Sequence, residues 1–461
     1  MTYDEAVRIL LSLGRELAAP RQARVQKFDL QNITLLARRL GSPHRASPCA
    51  HIAGTNGKGS TAAFLESILR AAGFKTGLYT SPHLVRINER IRVNGEEISD
   101  EDFAAAFTRV HDLIEELLAS GALAAHPTFF ECVTAMAFEH FARLHVEFAV
   151  YEVGLGGRLD STNIIEPVLT IITPIDFDHE DYLGHSLELI AGEKAGIIKP
   201  GALVVGAAQP TEVAAVIRKI AKEKNARLVL IARDYRSEIL VASPGNSRAV
   251  FTKLGSDWRL EVELPLAGRF QVQNALTAAV AARLLGELGF RMSDAAIARG
   301  IAGTRWPGRL QQVSERTSVF IDGTHNPAGA RELVAFWREQ FSGRRIYLVY
   351  GAMRDKAVDE IAGLLFPEVE AVIATAPRQS RAISAEVLAE MTGHHARQID
   401  VVPIAEVALE RAMELAGADD VVFATGSLYL AGDLLRYWPT RGVKLAGAVP
   451  APAAAAVRRD S

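Results

Sequence analysis

The segment Gly54-Thr55-Asn56-Gly57-Lys58-Gly59-Ser60-Thr61 constrains this chain more than any other, because it joins an apolar run at 49–54 to a stretch with helical spacing at 58–72. Glycines at such a junction let backbone amides approach a phosphate, and a helix N-terminus adds partial positive charge. The segment departs from the common GxxxxGK[ST] loop: Ile52 stands at the first glycine position, and Gly59 separates Lys58 from Ser60. A turn that only caps a helix is the plainer reading, but a lysine between two glycines has no capping role. Lys58 is the expected phosphate ligand.

The same junction recurs along the chain. Short apolar runs at 75–81, 148–154, 168–175 and 202–208 alternate with amphipathic stretches such as 128–145 and 187–198, the rhythm of a parallel α/β sheet. Ligands of such sheets gather at the C-terminal strand ends. From 236 to 267 the texture changes to alternating strands broken by Pro-Gly-Asn and Gly-Ser-Asp, which predicts antiparallel hairpins. A helix is expected over 271–289. After Gly303-Thr-Arg-Trp-Pro-Gly-Arg309, strands at 318–325, 344–352, 371–377 and 421–427 begin a second α/β rhythm. At 461 residues the chain exceeds what one core usually serves. The expected division is 1–302, a P-loop-type, mostly parallel sheet domain with a small antiparallel subregion, then a linker at 303–311. A C-terminal Rossmann-like α/β domain over 312–440 and a disordered Ala- and Pro-rich tail over 441–461 complete it.

Composition excludes several classes of function. A formal charge of −3 offers no basic field for nucleic acid. Two cysteines, Cys49 and Cys132, are too few for a disulfide framework and lack the paired spacing of a zinc site, so a reducing cytoplasm is expected. Acids interrupt the apolar pattern at the N-terminus and no long apolar run follows, which leaves neither an export signal nor a membrane span.

Other strand ends carry candidate chemistry. Ser81, in Thr80-Ser81-Pro82-His83-Leu84, offers a hydroxyl to a Mg²⁺ shell, although Ser-Pro after a strand is commonly only a turn. Glu152 opens Glu152-Val-Gly154-Leu-Gly156-Gly157-Arg158-Leu159-Asp160-Ser161, which is no dinucleotide fingerprint because Leu159 stands where a third glycine belongs. A carboxylate there suits Mg²⁺, directly or through water; its bland alternative is a solvated turn acid. His179 lies among acids in Asp176-Phe-Asp178-His179-Glu180-Asp181, and Lys194 in Gly192-Glu193-Lys194-Ala195-Gly196 sits where it could merely complement a helix dipole.

Taken together and in order, the phosphate loop, TSPHL, EVGLGGRLDSTN, DHxxxLG, GEKAGI, WPGR and DGTHNP resemble the folylpolyglutamate and dihydrofolate synthases of the Mur ligase superfamily, from about residue 1 to about 440. The resemblance implies that Thr55, Asn56, Gly57, Lys58, Gly59 and Ser60 bind ATP, with Asn274, Arg309 and Asp322 also touching the nucleotide. It implies two Mg²⁺ sites, Ser81 and Glu152 holding one ion, and Glu152, His179 and Lys194 the other, Lys194 as a carbamate. Lys58, His179 and Lys194 form the implied catalytic set. Where the family commonly writes DxAHNP, Thr324 replaces alanine. The implied reaction turns a folate carboxylate into an acyl-phosphate, which the amine of L-glutamate attacks; the implied enzyme is a cytoplasmic monomer.

Thr128, Phe129, Phe130 and Glu131, with Leu159, Asp160 and Ser161, resemble the bifunctional members, in which they line the dihydropteroate pocket. The bland reading makes Phe129 and Phe130 core residues and pairs Arg158 with Asp160. Polyglutamylation alone remains open, as does another Mur-type amino-acid ligase, although about 50 residues before the phosphate loop leave little room for a UDP-sugar domain. A nucleotide-hydrolysing switch would turn over ATP without folate or glutamate, and a non-catalytic binder would not need Lys58, Glu152, His179 and Lys194.

Overall fold

A computed structural model describes residues 1–13, 29–245, 247–314 and 318–440. The expected tail at 441–461 lies outside the described residues. By compactness the chain divides into two units, the first formed by Met1–Leu240, Arg248–Pro265 and Phe270–Arg305, the second by Val241–Ser247, Leu266–Arg269 and the chain from Trp306. Among the described residues no helix is long and apolar enough to cross a membrane.

The first unit is built on β1 (Cys49–Ala53), β2 (Thr76–Tyr79), β3 (Ile91–Val93), β4 (Glu96–Glu97), β5 (Phe148–Glu152), β6 (Leu169–Ile172), β7 (Leu203–Gly206) and β8 (Arg227–Leu230). They form an 8-stranded sheet in the order β4-β3-β2-β5-β1-β6-β7-β8. Only the β2–β3 and β3–β4 pairs are antiparallel. β1, β2, β5, β6 and β7 are buried along their whole length, as expected of continuous apolar runs covered on both faces. One apolar layer gathers Phe103, Phe107, Phe138, Phe141, Tyr79 and Tyr151; another gathers Ile172, Ile190, Ile197, Val204 and Ile217.

The strand order sets the position of the site. From β1 the chain crosses to β2 on one side, whereas from β6 it proceeds to β7 on the other. β1 and β6 are neighbours, so their C-terminal ends flank the point where the connections diverge, the place where an open α/β sheet leaves a crevice.

β9 (Tyr235–Val241), β10 (Ser247–Lys253) and β11 (Arg259–Leu264) form a separate 3-stranded sheet. In β11, Leu260, Val262 and Leu264 are buried while Arg259, Glu261 and Glu263 are exposed, the period-two pattern of a sheet with one wet face. The expected hairpins are thus found, and the helix Arg269–Glu287 follows them.

The second unit carries β12 (Gln311–Ser314), β13 (Ser318–Ile321), β14 (Ile346–Tyr350), β15 (Ala371–Ala376), β16 (Ile399–Ile404) and β17 (Val421–Thr425), ordered β12-β13-β17-β14-β15-β16. All neighbours are parallel except β12 and β13. Phe423 on β17 stacks on Phe320 of β13, ring centroids 4.9 Å apart, and meets Trp337 at 5.2 Å. β16, half exposed and containing Pro403, is an edge strand, where a missing amide costs no ladder bond.

Candidate active site

The loop after β1 is held by the loop after β6. The Thr55 and Asn56 amides donate to the Pro174 carbonyl at 2.9 and 3.2 Å, and the Thr55 hydroxyl donates to the Asp176 carbonyl at 2.9 Å. Gly54 approaches Thr173 so closely that a Cβ would stand 1.9 Å from its hydroxyl oxygen. Gly57, at φ +82°, caps the helix Lys58–Ala71, and a Cβ there would stand 2.3 Å from Asn274 Oδ1. Both glycines are therefore dictated by close approach as well as by backbone angle. Asn274 donates to Gln271, which donates to the Ser60 hydroxyl at 3.2 Å. Asn274, expected near the nucleotide from resemblance, stands against the phosphate loop.

Two lysines converge on one carbonyl. Lys58 Nζ donates to the Gly54 and Thr55 carbonyls at 3.1 and 3.2 Å, and the buried Lys194 Nζ donates to the Gly54 carbonyl at 2.8 Å. Lys194 arrives there from the helix Leu187–Ala195, far along the chain. Glu152, buried at the end of β5, accepts the Ser81 amide at 3.1 Å from the end of neighbouring β2. His179 precedes the single-turn helix Glu180–Leu183 at φ +53°, with Nε2 3.8 Å from Asp178 Oδ1.

The glycine-rich loop after β5 is organised around Asp160. One carboxylate oxygen accepts the Gly154 and Leu155 amides at 3.0 and 3.1 Å; the other accepts the Thr162 amide at 2.9 Å and the Thr162 hydroxyl. Burial raises the Asp160 carboxyl above its usual range, and these donors oppose the rise. Behind it, His51 Nε2 lies 2.8 Å from the Thr162 hydroxyl. Because that hydroxyl spends its proton on Asp160, the His51 ring must donate through Nε2–H. Its Nδ1 is buried with no hydrogen-bond partner among the described residues, and burial lowers the ring to about 3, so it stays neutral. Arg158 pairs with Glu193 at 2.9 Å, which corrects the suggested pairing with Asp160.

Thr128 and Glu131 form a capping box at the start of the helix Phe129–Arg143. Burial raises the Glu131 carboxyl, with a smaller push from the negative charge of Asp29. Phe129 is a core residue with the Arg90 guanidinium 5.3 Å from its ring centre, whereas half-buried Phe130 presses on Gly154, where a Cβ would stand 2.6 Å from its ring. Leu159 lines a groove of about 570 Å³ with Asp29, Leu30, Gln31, Thr34, Leu35 and Arg38. Sequence reasoning passed over this wall, whose only signal is an acid and two amides opening an apolar helical stretch, Asp29-Leu-Gln31-Asn-Ile-Thr34-Leu-Leu.

In the second unit, WPGR and DGTHNP meet. Buried Asp322 accepts the Leu310 amide at 2.9 Å and the Thr324 amide at 2.8 Å, while the Gly323 amide donates to the Gly308 carbonyl at 3.1 Å. A Cβ on Gly323 would stand 2.5 Å from an Arg309 guanidinium nitrogen. His325 lies 2.8 Å from the Gly323 carbonyl, and Asn326 caps the helix Pro327–Gln340. The Thr324 carbonyl accepts the Gly426 amide at 3.0 Å.

Comparison with known proteins places both parts of the chain in one family. The Mur ligase middle domain matches residues 52–282, and the Mur ligase glutamate ligase domain matches residues 308–428. The dihydrofolate synthase/folylpolyglutamate synthase of Bacillus subtilis (strain 168) is 38% identical over 419 residues, covering 88% of this chain and 94% of that protein. Mycobacterium tuberculosis folylpolyglutamate synthase complexed with ADP matches with a TM-score of 0.85 at 32% identity, over 95% of this chain and 98% of that one. Escherichia coli FolC in complex with DHPP and ADP matches with a TM-score of 0.82 at 31% identity, again over 95% and 98%. With both domains matched in order and its relatives covered nearly end to end, the chain belongs to the dihydrofolate synthase/folylpolyglutamate synthase family of the Mur ligase superfamily.

Proposed function

We propose that the chain is an ATP-dependent carbon–nitrogen ligase that adds L-glutamate to tetrahydrofolate, and to dihydropteroate, through an acyl-phosphate. The observation that carries this reading is the convergence of Lys58 and Lys194 on the Gly54 carbonyl, in a loop pinned to the end of β6 where the sheet connections diverge. A carboxylate is a poor electrophile, and phosphorylation supplies a leaving group. Lys58, oriented by two carbonyls, would bring positive charge to the transferring phosphoryl group, and the amides of Thr55 to Ser60 would surround the phosphates. The glutamate amine then attacks the acyl carbon, and the tetrahedral intermediate expels phosphate. Arg309 and Asp322 are proposed as further nucleotide ligands.

The side chains of Ser81 and Glu152 provide the hard oxygen donors that Mg²⁺ prefers, and Ser81 and Glu152 are already joined by a hydrogen bond. They would hold one ion, with Glu152, His179 and Lys194 holding a second; bound there, Mg²⁺ would offset the charge of the phosphates. An ammonium cannot ligate a cation, so Lys194 would act as a carbamate. A carbamate nitrogen keeps one N–H, so the bond to the Gly54 carbonyl could persist while the carbamate supplied oxygen donors. Intact-mass measurement under CO₂ should show the added carboxylate on the native chain and not on Lys194→Ala; an unmodified native chain with Mg²⁺ bound would remove this role.

Dihydropteroate use is supported by Leu159 in the groove with Asp29, Gln31 and Thr34, where apolar walls and directional polar groups suit a flat heterocycle. The whole reading is tested by phosphate release with glutamate and either dihydropteroate, tetrahydrofolate or neither. Release should need a folate or pteroate substrate; release without one would indicate a nucleotide hydrolase, and release with tetrahydrofolate alone would leave polyglutamylation as the sole activity. The protein is further expected to work as a cytoplasmic monomer without nucleic acid.

A further inference from the structure

The second unit carries a cluster that the ligase reaction does not use. Asp359 lies in the first turn of the helix Val358–Leu365, and His394 and His395 form the 3-10 turn Gly393–His395 that follows the helix Ala385–Thr392. His395 Nε2 lies 3.0 Å from Asp359 Oδ1, and His394 Nε2 lies 3.6 Å from the same oxygen. The two imidazoles are tilted 42° to one another with ring centres 3.8 Å apart, and each approaches the same carboxylate oxygen through Nε2. One donor atom from each of the three residues lies within 4.8 Å of the others. Gly363 follows Asp359 by one helical turn, and a Cβ there would stand 3.3 Å from His395 Cε1. A glycine inside a helix costs roughly 0.5–1 kcal/mol relative to alanine, and here it leaves the face of the helix open to the ring.

We propose that Asp359, His394 and His395 form a surface site for a borderline divalent transition-metal ion, of which Zn²⁺ is the representative. Two imidazole nitrogens and one carboxylate oxygen suit Zn²⁺, with bonds of roughly 2.0–2.2 Å, rather than Mg²⁺ or Ca²⁺, which take oxygen shells. Donors bound at that length stand roughly 3–3.5 Å apart, close to the separations from Asp359 already present, so side-chain rotation suffices to close the set. Water would complete the coordination, since Asp359 and His394 are more than half exposed, at 64% and 57%. Binding would tie the helix Val358–Leu365 to the turn before β16. The ion therefore acts as a brace on this edge of the sheet, apart from the reaction itself.

The experiment is calorimetric titration of the untagged full chain with Zn²⁺ in millimolar Mg²⁺, alongside thermal unfolding. The native chain should bind one Zn²⁺ that His394→Ala/His395→Ala does not, with Asp359→Ala weakening the same event by about tenfold or more. Zn²⁺ should raise the unfolding midpoint of the native chain only. Asp359 and His394 are exposed and His395 is half-buried, so the midpoint of Asp359→Ala without Zn²⁺ should stay near native and that of the double variant should fall only slightly. Equal Zn²⁺ stoichiometry and affinity in the native chain and the double variant would overturn the proposal, as would the absence of any Zn²⁺ binding that survives Mg²⁺.

Discussion

At the scale of single residues, neighbouring groups play separable parts. Lys58 is half-buried with its ammonium on two loop carbonyls, so Lys58→Ala should cost only about 1 kcal/mol of stability while lowering ligation by roughly 10²–10³-fold. Urea unfolding and phosphate release on one preparation would check both, and near-native turnover would remove Lys58 from the reaction. His51 has the opposite profile, wholly buried and tied to the glycine-rich loop after β5 through Thr162 and Asp160. Folded, its ring stays neutral down to about pH 3; unfolded, it takes a proton near 6.5. The unfolded chain therefore binds more protons between those values, and stability falls as pH drops through that window by up to about 1.4 kcal/mol per pH unit. Asp160 and Glu131, raised by burial, work in the opposite sense. Comparing unfolding of the native chain and His51→Gln between pH 6.5 and 4.5 isolates the histidine: the variant should decline less steeply. Parallel curves would mean that the ring is already charged.

At the scale of elements, the site depends on how closely loops approach helices. A Cβ on Gly157 would stand 2.8 Å from both the Glu193 and Lys194 carbonyls. Gly157→Ala should push the loop from the helix Leu187–Ala195, cost about 1–3 kcal/mol, and impair ligation by shifting Lys194. Native activity at reduced stability would show that the helix yields without moving the lysine. Asp160→Ala tests the same loop from inside, since the carboxylate gathers three amides and one hydroxyl that would lose their acceptor together. The Gly154 turn bears on Phe130, so turnover of dihydropteroate should fall much more than turnover of tetrahydrofolate. Equal losses would assign Asp160 to the loop's general stability.

At the scale of the whole molecule, the two units have their own sheets and cores. Phe423 packs among Phe320, Phe336, Trp337 and Phe341 in the second unit. Phe423→Ala should cost about 3–5 kcal/mol there. Hydrogen exchange would locate the loss: amides of β13, β14 and β17 should exchange faster, while β1, β5 and β6 keep their protection. Uniform loss of protection would instead show that the units unfold as one.

The two mostly parallel sheets and the small separate sheet were legible because burial on both faces or on one writes itself as continuous or alternating apolar runs, as in Phe148–Glu152 and Arg259–Leu264. The strand-to-helix loop after β1 was legible because its turn and close approaches need glycines around one lysine within a few positions. β16 escaped notice because an edge strand tolerates Pro403 and exposed positions, so its pattern is weak. The groove wall from Asp29 to Arg38 and the neutral His51 behind Asp160 left no local pattern, since neither has a fixed spacing from its partners. Sequence alone therefore determined which elements form, through burial and backbone preference, which are local. Only the tertiary structure brought Lys194 to the Gly54 carbonyl and Arg158 to Glu193 rather than Asp160, because those pairings follow from strand order and helix placement, which no spacing along the chain records.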